Sequence, residues 1–371
     1  MKILFIGARL FDDIALYAKK ERITSVLTES NPDSKNLELA DIQYVVPRGM
    51  EKPKEIALKE DVDAVVPLIG IDKPLIEVSM LKEDLENNYG IPVVASPLDT
   101  VITAGDKLKT KEFFIKNEIK TPDFNKFSKN HSKIDLPVVL KKFEGQGGSG
   151  VKIALTPSDL EECIPYFEES FAEKFVEGFE ISIEVLRWNN KTVPLVPVCK
   201  GKTTLDCTHP LDKLKTAPLN IESVNNEYIK ETAKNIADLL GSQGVIDIDI
   251  IFDEKEEISY FIEINTRPSG TRYLTAASSD INPLNELVDM ATGKWKSKNV
   301  LKRLKEYYAL EIPMGDYKTD KNNYKFRNFH DENCFVIHGP EKFQRITIRS
   351  TSMQKAFDTA NKLNIDYKKF Y

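Results

Sequence analysis

Over the first 98 positions, short apolar runs alternate with polar, charged stretches. Residues 2–6, 23–28, 44–46, 64–68 and 92–95 are the apolar runs. Runs of this length predict buried strands, and the stretches between them, including 12–20 and the charged segment ahead of Ala64, predict helices. Strands separated by helices predict parallel βαβ units in a doubly wound sheet. The pattern changes near 99–103, where a lysine-rich helix is predicted at 107–117. Beyond it strands dominate: 138–142 and 151–155 flank a glycine-rich stretch, followed by 171–175, 180–186, 193–198, 245–252 and 258–264. A helix is predicted at 227–240. After about residue 300 comes a tail rich in lysine and tyrosine, with a strand at 345–349 and a final helix. Three units follow: 1–98, 99–175 and 176–371, the last including the tail.

The 371 residues are too many for one ordinary core. With 41% hydrophobic and 30% charged residues the balance is globular, and no apolar run approaches the roughly 20 residues that span a bilayer. The opening Met-Lys-Ile-Leu-Phe-Ile leads straight into Gly7-Ala8-Arg9 without a small-residue cleavage site. It reads as a buried strand, and a cytoplasmic protein is expected. A net charge of -6 argues against nucleic acid as a partner. Cys163, Cys199, Cys207 and Cys334 have no CxxC spacing, and Cys207 near His209 gives only two of the ligands a zinc site needs.

Candidate chemistry concentrates in three places. The turn Gly7-Ala8-Arg9-Leu10 lacks the second and third glycines of a dinucleotide fingerprint, which counts against a nicotinamide-dependent oxidoreductase. Two antiparallel strands over 245–252 and 258–264 would place Asp249 beside Glu263, with Asn265 two residues along the same face. Two carboxylates and an amide oxygen suit magnesium, although a salt-bridged acidic face fits the alternation as well. The segment Gly145-Gln146-Gly147-Gly148-Ser149-Gly150 frees backbone amides that can approach phosphate, as it can in a ligand-free hairpin. Lys141 stands just before it. A third segment, Glu173-Lys174-Phe175-Val176-Glu177-Gly178-Phe179-Glu180, carries carboxylates on both sides of a glycine turn.

Taken in order, these motifs resemble the ATP-grasp superfamily over residues 1–295, including the small Rossmann-like domain that precedes the grasp. The most specific element is Phe261-Ile262-Glu263-Ile264-Asn265-Thr266-Arg267-Pro268-Ser269-Gly270. The resemblance implies an α/β ATP-grasp fold and a ligase that uses ATP and Mg2+, one ion or two. It implies that Lys107 and Lys141 contact nucleotide phosphates, with Gly147 and Gly148 in the covering loop. Glu173, Lys174 and Val176 would hold adenine, and Glu180 the ribose. Asp249, Glu263 and Asn265 would ligate the metal, and Arg267 would steady an acyl phosphate.

Within the superfamily the chain is similar to the ligase family of pyrrolysine biosynthesis, which joins 3-methylornithine to the side-chain amine of lysine, and to carbamoyl-phosphate-synthase-like ligases. Thr204-Leu205-Asp206-Cys207 resembles the former's Thr-Tyr-Asp-Cys, and Ile281-Asn282-Pro283-Leu284-Asn285-Glu286-Leu287 its Gly-Ile-Asn-x-x-Glu-Leu. By that likeness Asp206 receives a substrate ammonium group. Leu205 departs from the aromatic, and Arg272 adds a second arginine that suits a more acidic substrate, such as a glutamyl group. The expected reaction joins two amino acids or peptides through an acyl phosphate, by a cytoplasmic enzyme that forms a homodimer in many relatives. A cell-wall peptide ligase and a non-catalytic nucleotide sensor are the competing readings.

Overall fold

In a computed structural model the described residues are 1–127, 135–143, 150–167, 170–205, 212–314, 328–339 and 343–370. The first unit is a parallel sheet of β1 (Lys2–Ile6), β2 (Thr24–Glu29), β3 (Ile42–Val45) and β4 (Ala64–Pro67), in the order β3-β2-β1-β4. The strand expected at 92–95 shrinks to a single parallel bridge between Val65 and Val93. Pro92 has no N–H with which to lengthen the ladder, and only its carbonyl is used, by Val65 at 2.9 Å. The helix expected at 12–20 is a 3-10 turn, Ala8–Asp13, followed by the helix Ala15–Lys20. The break turns Asp13 inward, where it is buried.

A small antiparallel sheet follows, ordered β5-β8-β6-β7, from β5 (Phe124–Phe127), β6 (Val138–Lys142), β7 (Val151–Ala154) and β8 (Ser170–Lys174). The expected β6–β7 hairpin is present, with Val138 opposite Ala154 and Lys141 opposite Val151. Gly147 and Gly148, at its tip, lie outside the described residues.

The large sheet holds β9 (Gly178–Trp188), β10 (Lys191–Pro194), β11 (Val198–Lys202), β12 (Lys215–Ala217), β13 (Gly244–Asp253), β14 (Ile258–Asn265), β15 (Tyr308–Pro313), β16 (Cys334–His338) and β17 (Arg345–Ser350). Its order among the described residues is β14-β13-β9-β11-β12-β15-β17-β16, with β10 on the side of β9. The one strand expected at 193–198 is two, because Pro194 and Pro197 interrupt the ladder. The tail beyond residue 300 does not hang from the fold: β15 and β17 lie within the sheet. At the start of β9 a side chain on Gly178 would run into the carbonyl of Phe252, so the two longest strands approach where only glycine fits.

One hydrophobic core joins the first sheet to the large one. Phe5, Phe11 and Leu27 pack in the same cluster as Leu186, Val245, Leu284 and Leu287. A second core lies between the large sheet and the helix Asn226–Leu240, whose Ile229, Ala233 and Ile236 face Ile181, Ile183 and Ile248. Among the described residues no helix is long and apolar enough to cross a membrane.

Candidate active site

On β13, residues alternate between this second core and the opposite face, so Ile246, Ile248 and Ile250 are buried in it while Asp247 and Asp249 share the other side. The register puts Asp249 opposite Glu263 of β14 and Ser182 of β9, and Asp247 opposite Asn265 and Glu184. The juxtaposition of Asp249, Glu263 and Asn265 expected from the sequence is therefore present. The face holds more acid than that set, since Glu180, Glu184 and Asp247 crowd the same rows. Ser182 donates its hydroxyl to Asp247, and the Ser269 N–H donates to Glu184 at 3.3 Å.

Three lysines answer this charge. Lys107, first residue of the helix Lys107–Lys116 and fixed there by the Asp106 cap, bonds Glu263 at 3.1 Å. Lys200 of β11 bonds Asp249 at 2.7 Å, and Lys213 bonds Glu180 at 2.7 Å. The compensation is uneven. Burial works against ionised Glu263, but Lys107, Lys141 and Lys200 hold it below the usual carboxylate range. Burial, only partly offset by Lys200 and reinforced by Asp247 and Glu263, pushes Asp249 up to about 7. Burial and Asp247 push Glu184 up to about 8, and its Oε2 has no hydrogen-bond partner among the described residues. A carboxylate row short of positive charge, with Asn265 beside it, fits a hard divalent cation.

Beside this face, the small sheet contributes Lys141, which bonds Glu173 at 2.6 Å. Glu173 is buried in β8 between Lys141 and Lys111, paired to both. The side chain of Glu173 thus anchors two lysines. Burial drives Lys111 down to about 8 against the pull of Glu173. Lys174 points outward to Glu256 at 3.3 Å, as Glu177 does to Lys255, while Val176 is buried. Lys111, Lys200 and Lys213 were missed by sequence reading. Lys111 follows Lys107 by one helical turn, a spacing that would have signalled it.

Arg267 pairs with Asp72, from the loop after β4, and donates to Asn265 at 3.1 Å. Arg272 reaches Asp13 at 2.9 and 3.0 Å and the Ser269 carbonyl at 3.2 Å, and the Tyr273 hydroxyl donates to the same Asp13. Both arginines thus take their carboxylates from the first unit. Asp206 lies outside the described residues. Asn282 caps the helix Pro283–Ala291 through the Leu284 N–H at 3.0 Å, and Glu286 pairs with Arg303. That segment is occupied with structure.

A small sheet beside a large one, with lysines from the first and a carboxylate–amide row on the second, is the arrangement of an ATP-grasp fold. The model of the ATP-grasp domain matches residues 104–271. A Methanobrevibacter smithii protein named carbamoyl-phosphate synthase is 48% identical over 359 residues, covering 96% of this chain and 98% of its own. The chain belongs to the ATP-grasp family and is an ATP-dependent ligase. Carbamoyl phosphate synthase large chains from several archaea also match at 24–25% identity, and the chain spans about a third of their length. Two solved structures share the fold. The L-amino acid ligase of Bacillus licheniformis superposes with a TM-score of 0.77 at 17% identity, over 98% of this chain and 96% of its own. The biotin carboxylase domain dimer of Hydrogenobacter thermophilus 2-oxoglutarate carboxylase, in complex with MgADP, ADP and bicarbonate, gives 0.76 at 18%, over 97% and 88%.

Proposed function

We propose that the protein phosphorylates a carboxylate with ATP and passes the acyl group to an amine, forming an amide or isopeptide bond. The observation that carries this reading is the pairing of Asp249 with Glu263, Asn265 two residues on and Lys107 bonded to Glu263, beside Arg267. A carboxylate oxygen of the acid attacks the γ-phosphorus, and the bond to the β-phosphate oxygen breaks to release ADP. Lys107 and Lys141 balance the charge on the transferring oxygens. Asp249, Glu263 and Asn265 would hold magnesium, which when bound supplies positive charge across the β- and γ-phosphates. The amine nitrogen then attacks the acyl carbon, phosphate leaves, and the nitrogen gives up its proton. Arg267 stabilises the oxyanion between these events.

Glu173 acts in this reading through Lys141, while backbone groups of 173–176 meet adenine and Glu180 meets ribose. Gly147 and Gly148 close over the phosphates, and Asp206 receives an ammonium group. The relative named carbamoyl-phosphate synthase favours bicarbonate and ammonia as the acid and amine, and the L-amino acid ligase fold favours two amino acids. Pyrrolysine-type chemistry rests on Asp206 and on the segment from Ile281 to Leu287, and that segment caps and pairs a helix. The Hydrogenobacter dimer supports the homodimer, which sedimentation at micromolar protein tests.

The test is ADP release with ATP and Mg2+ against paired acids and amines, with product mass. The panel contains bicarbonate with ammonia, ornithine analogues with lysine, and glutamate or glutamyl peptides with amines. ADP release that requires both members of a pair, and a product mass equal to their sum less water, is the expected result. ATP binding with no pair raising ADP release would favour the sensor reading.

A further inference from the structure

Two lysines stand one turn apart on the helix Lys107–Lys116, and each goes to a different sheet. Lys107 bonds Glu263 of β14 in the large sheet, and Lys111 pairs with Glu173 of β8 in the small one. Glu173 shares a face with Lys141, because β6 and β8 are antiparallel neighbours and Lys141 lies opposite Phe171, two residues before Glu173. The two carboxylate oxygens are divided between the two ammonium groups: Oε1 takes Lys141 at 2.6 Å and Oε2 takes Lys111. Burial opposes the charge of Lys111 and of Glu173, and each offsets that cost for the other.

The Lys111 ammonium is held from a second side. It donates to the Thr121 hydroxyl at 2.5 Å, and that hydroxyl donates to the Phe261 carbonyl at 2.7 Å. The Phe261 N–H in turn donates to the Lys120 carbonyl at 2.8 Å. Phe261 lies on β14, two residues before Glu263. Lys111 is thus tied to the large sheet, and through Glu173 it reaches the side chain that holds Lys141 in the small sheet.

Glu173 and Lys141 alone would form a neutral pair, and the undivided carboxylate would resist any turn of that ammonium toward a phosphate. A second ammonium on the same carboxylate shares its negative charge and leaves the three groups with one net positive charge. Lys111 is 1% exposed, whereas the Lys141 side chain is 11% exposed, so Lys141 is the one that a ligand can meet. We infer that Lys111 is a positioning residue for ATP: seated on the large sheet, it occupies half of the Glu173 carboxylate and so leaves Lys141 free to turn to the phosphates. The inference rests on the reading that Lys141 contacts phosphate.

The test measures binding rather than turnover, so it stands apart from any failure to find the acid and amine. Calorimetric titration of the full chain with Mg2+ compares ATP with adenosine, which keeps base and ribose but brings no phosphate. Lys111→Met is expected to weaken ATP binding tenfold or more and adenosine binding less than threefold. Added to Lys141→Met, it is expected to cost less than threefold further. In the double variant Lys111→Met/Glu173→Gln, ATP affinity is expected to return to within threefold of the wild type. Melting temperatures check that each variant is folded. If Lys111→Met does not fold alone, the double variant, which buries no unpaired charge at these two positions, carries the test. An equal loss of ATP and adenosine, a loss of ATP that persists in the double variant, or no loss at all overturns the inference. If Lys141→Met leaves ATP affinity unchanged, the reading of Lys141 fails and the inference falls with it. If ATP responds as expected but no acid and amine pair yields ADP, the ligase reading fails and the role of Lys111 stands.

Discussion

The large sheet carries two buried clusters of charge, and they have opposite characters. On β9, β13 and β14, carboxyl groups outnumber the lysines that meet them, and Asp249 and Glu184 are pushed up to about 7 and about 8. On β12, β15 and β17, Glu311 is buried between Lys215 and Arg345 and accepts from Thr347 at 3.2 Å. Burial opposes its charge, yet Lys215, Arg345 and His338 hold it well below the usual carboxylate range. The same side-chain chemistry in the same sheet thus gives one site that lacks positive charge and one that is saturated with it. In the proposed mechanism the first would be completed by a cation that arrives with the nucleotide. The second is complete in the folded chain and serves as structure.

The sharpest way to break this contrast is to neutralise one acid in each cluster. Asp249→Asn is expected to lower the ADP-release rate by about a thousandfold, the scale of losing a charge that organises transition-state stabilisation. A loss under tenfold would remove Asp249 from the proposed metal set. Glu311→Gln is expected to cost about 3–5 kcal/mol of stability in urea unfolding, because it leaves Lys215 and Arg345 buried without a counter-charge. A cost below about 1 kcal/mol would show that the second cluster is not saturated by Glu311.

The pH dependence sharpens the contrast further. The folded-state value of Asp249 lies above its unfolded value of 3.8, so the native state keeps its proton longer. Between about pH 4 and pH 7 the folded protein binds more protons, and this group's contribution therefore falls as pH rises. Without metal, Asp249→Asn should flatten that decline and melt above the wild type at pH 8, by about 1–2 °C for each kcal/mol recovered. Magnesium with ADP should likewise stabilise the wild type more at pH 8 than at pH 5, read by the same melts. The smallest effect is expected at Lys174→Ala, whose exposed pair with Glu256 should change the ATP KM less than threefold.

Much of this was legible beforehand. The alternation over 245–252 and 258–264 predicts strands, and adjacency puts Asp249 opposite Glu263 as found. What escaped were the residues brought in from far along the chain. Lys200 sits two residues past the strand expected at 193–198, and nothing local says that its ammonium crosses to Asp249. Asp13 and Asp72 belong to no motif that the sequence offered, yet each meets an arginine from far down the chain. The tail after residue 300 carried a strand signal but none for its place, since strand order depends on pairing between distant segments. Pro92, Pro194 and Pro197 were visible, and their missing N–H groups explain why the strands expected at 92–95 and 193–198 came out shortened and split, whereas β5, β12, β15 and β16 were not expected at all.

The shared core and the Asp13–Arg272 and Asp72–Arg267 pairs bear on how the molecule comes apart. A first unit that buries Phe5 and Leu27 against Leu186 and Leu287 has no finished surface of its own on that side. Its melting should therefore be coupled to that of the large sheet. Scanning calorimetry of the full chain should show these two parts losing their heat in one endotherm, with calorimetric and van't Hoff enthalpies in agreement for that transition. The Rossmann-like unit would then be a partner in one cooperative block rather than a module that could be exchanged at residue 98.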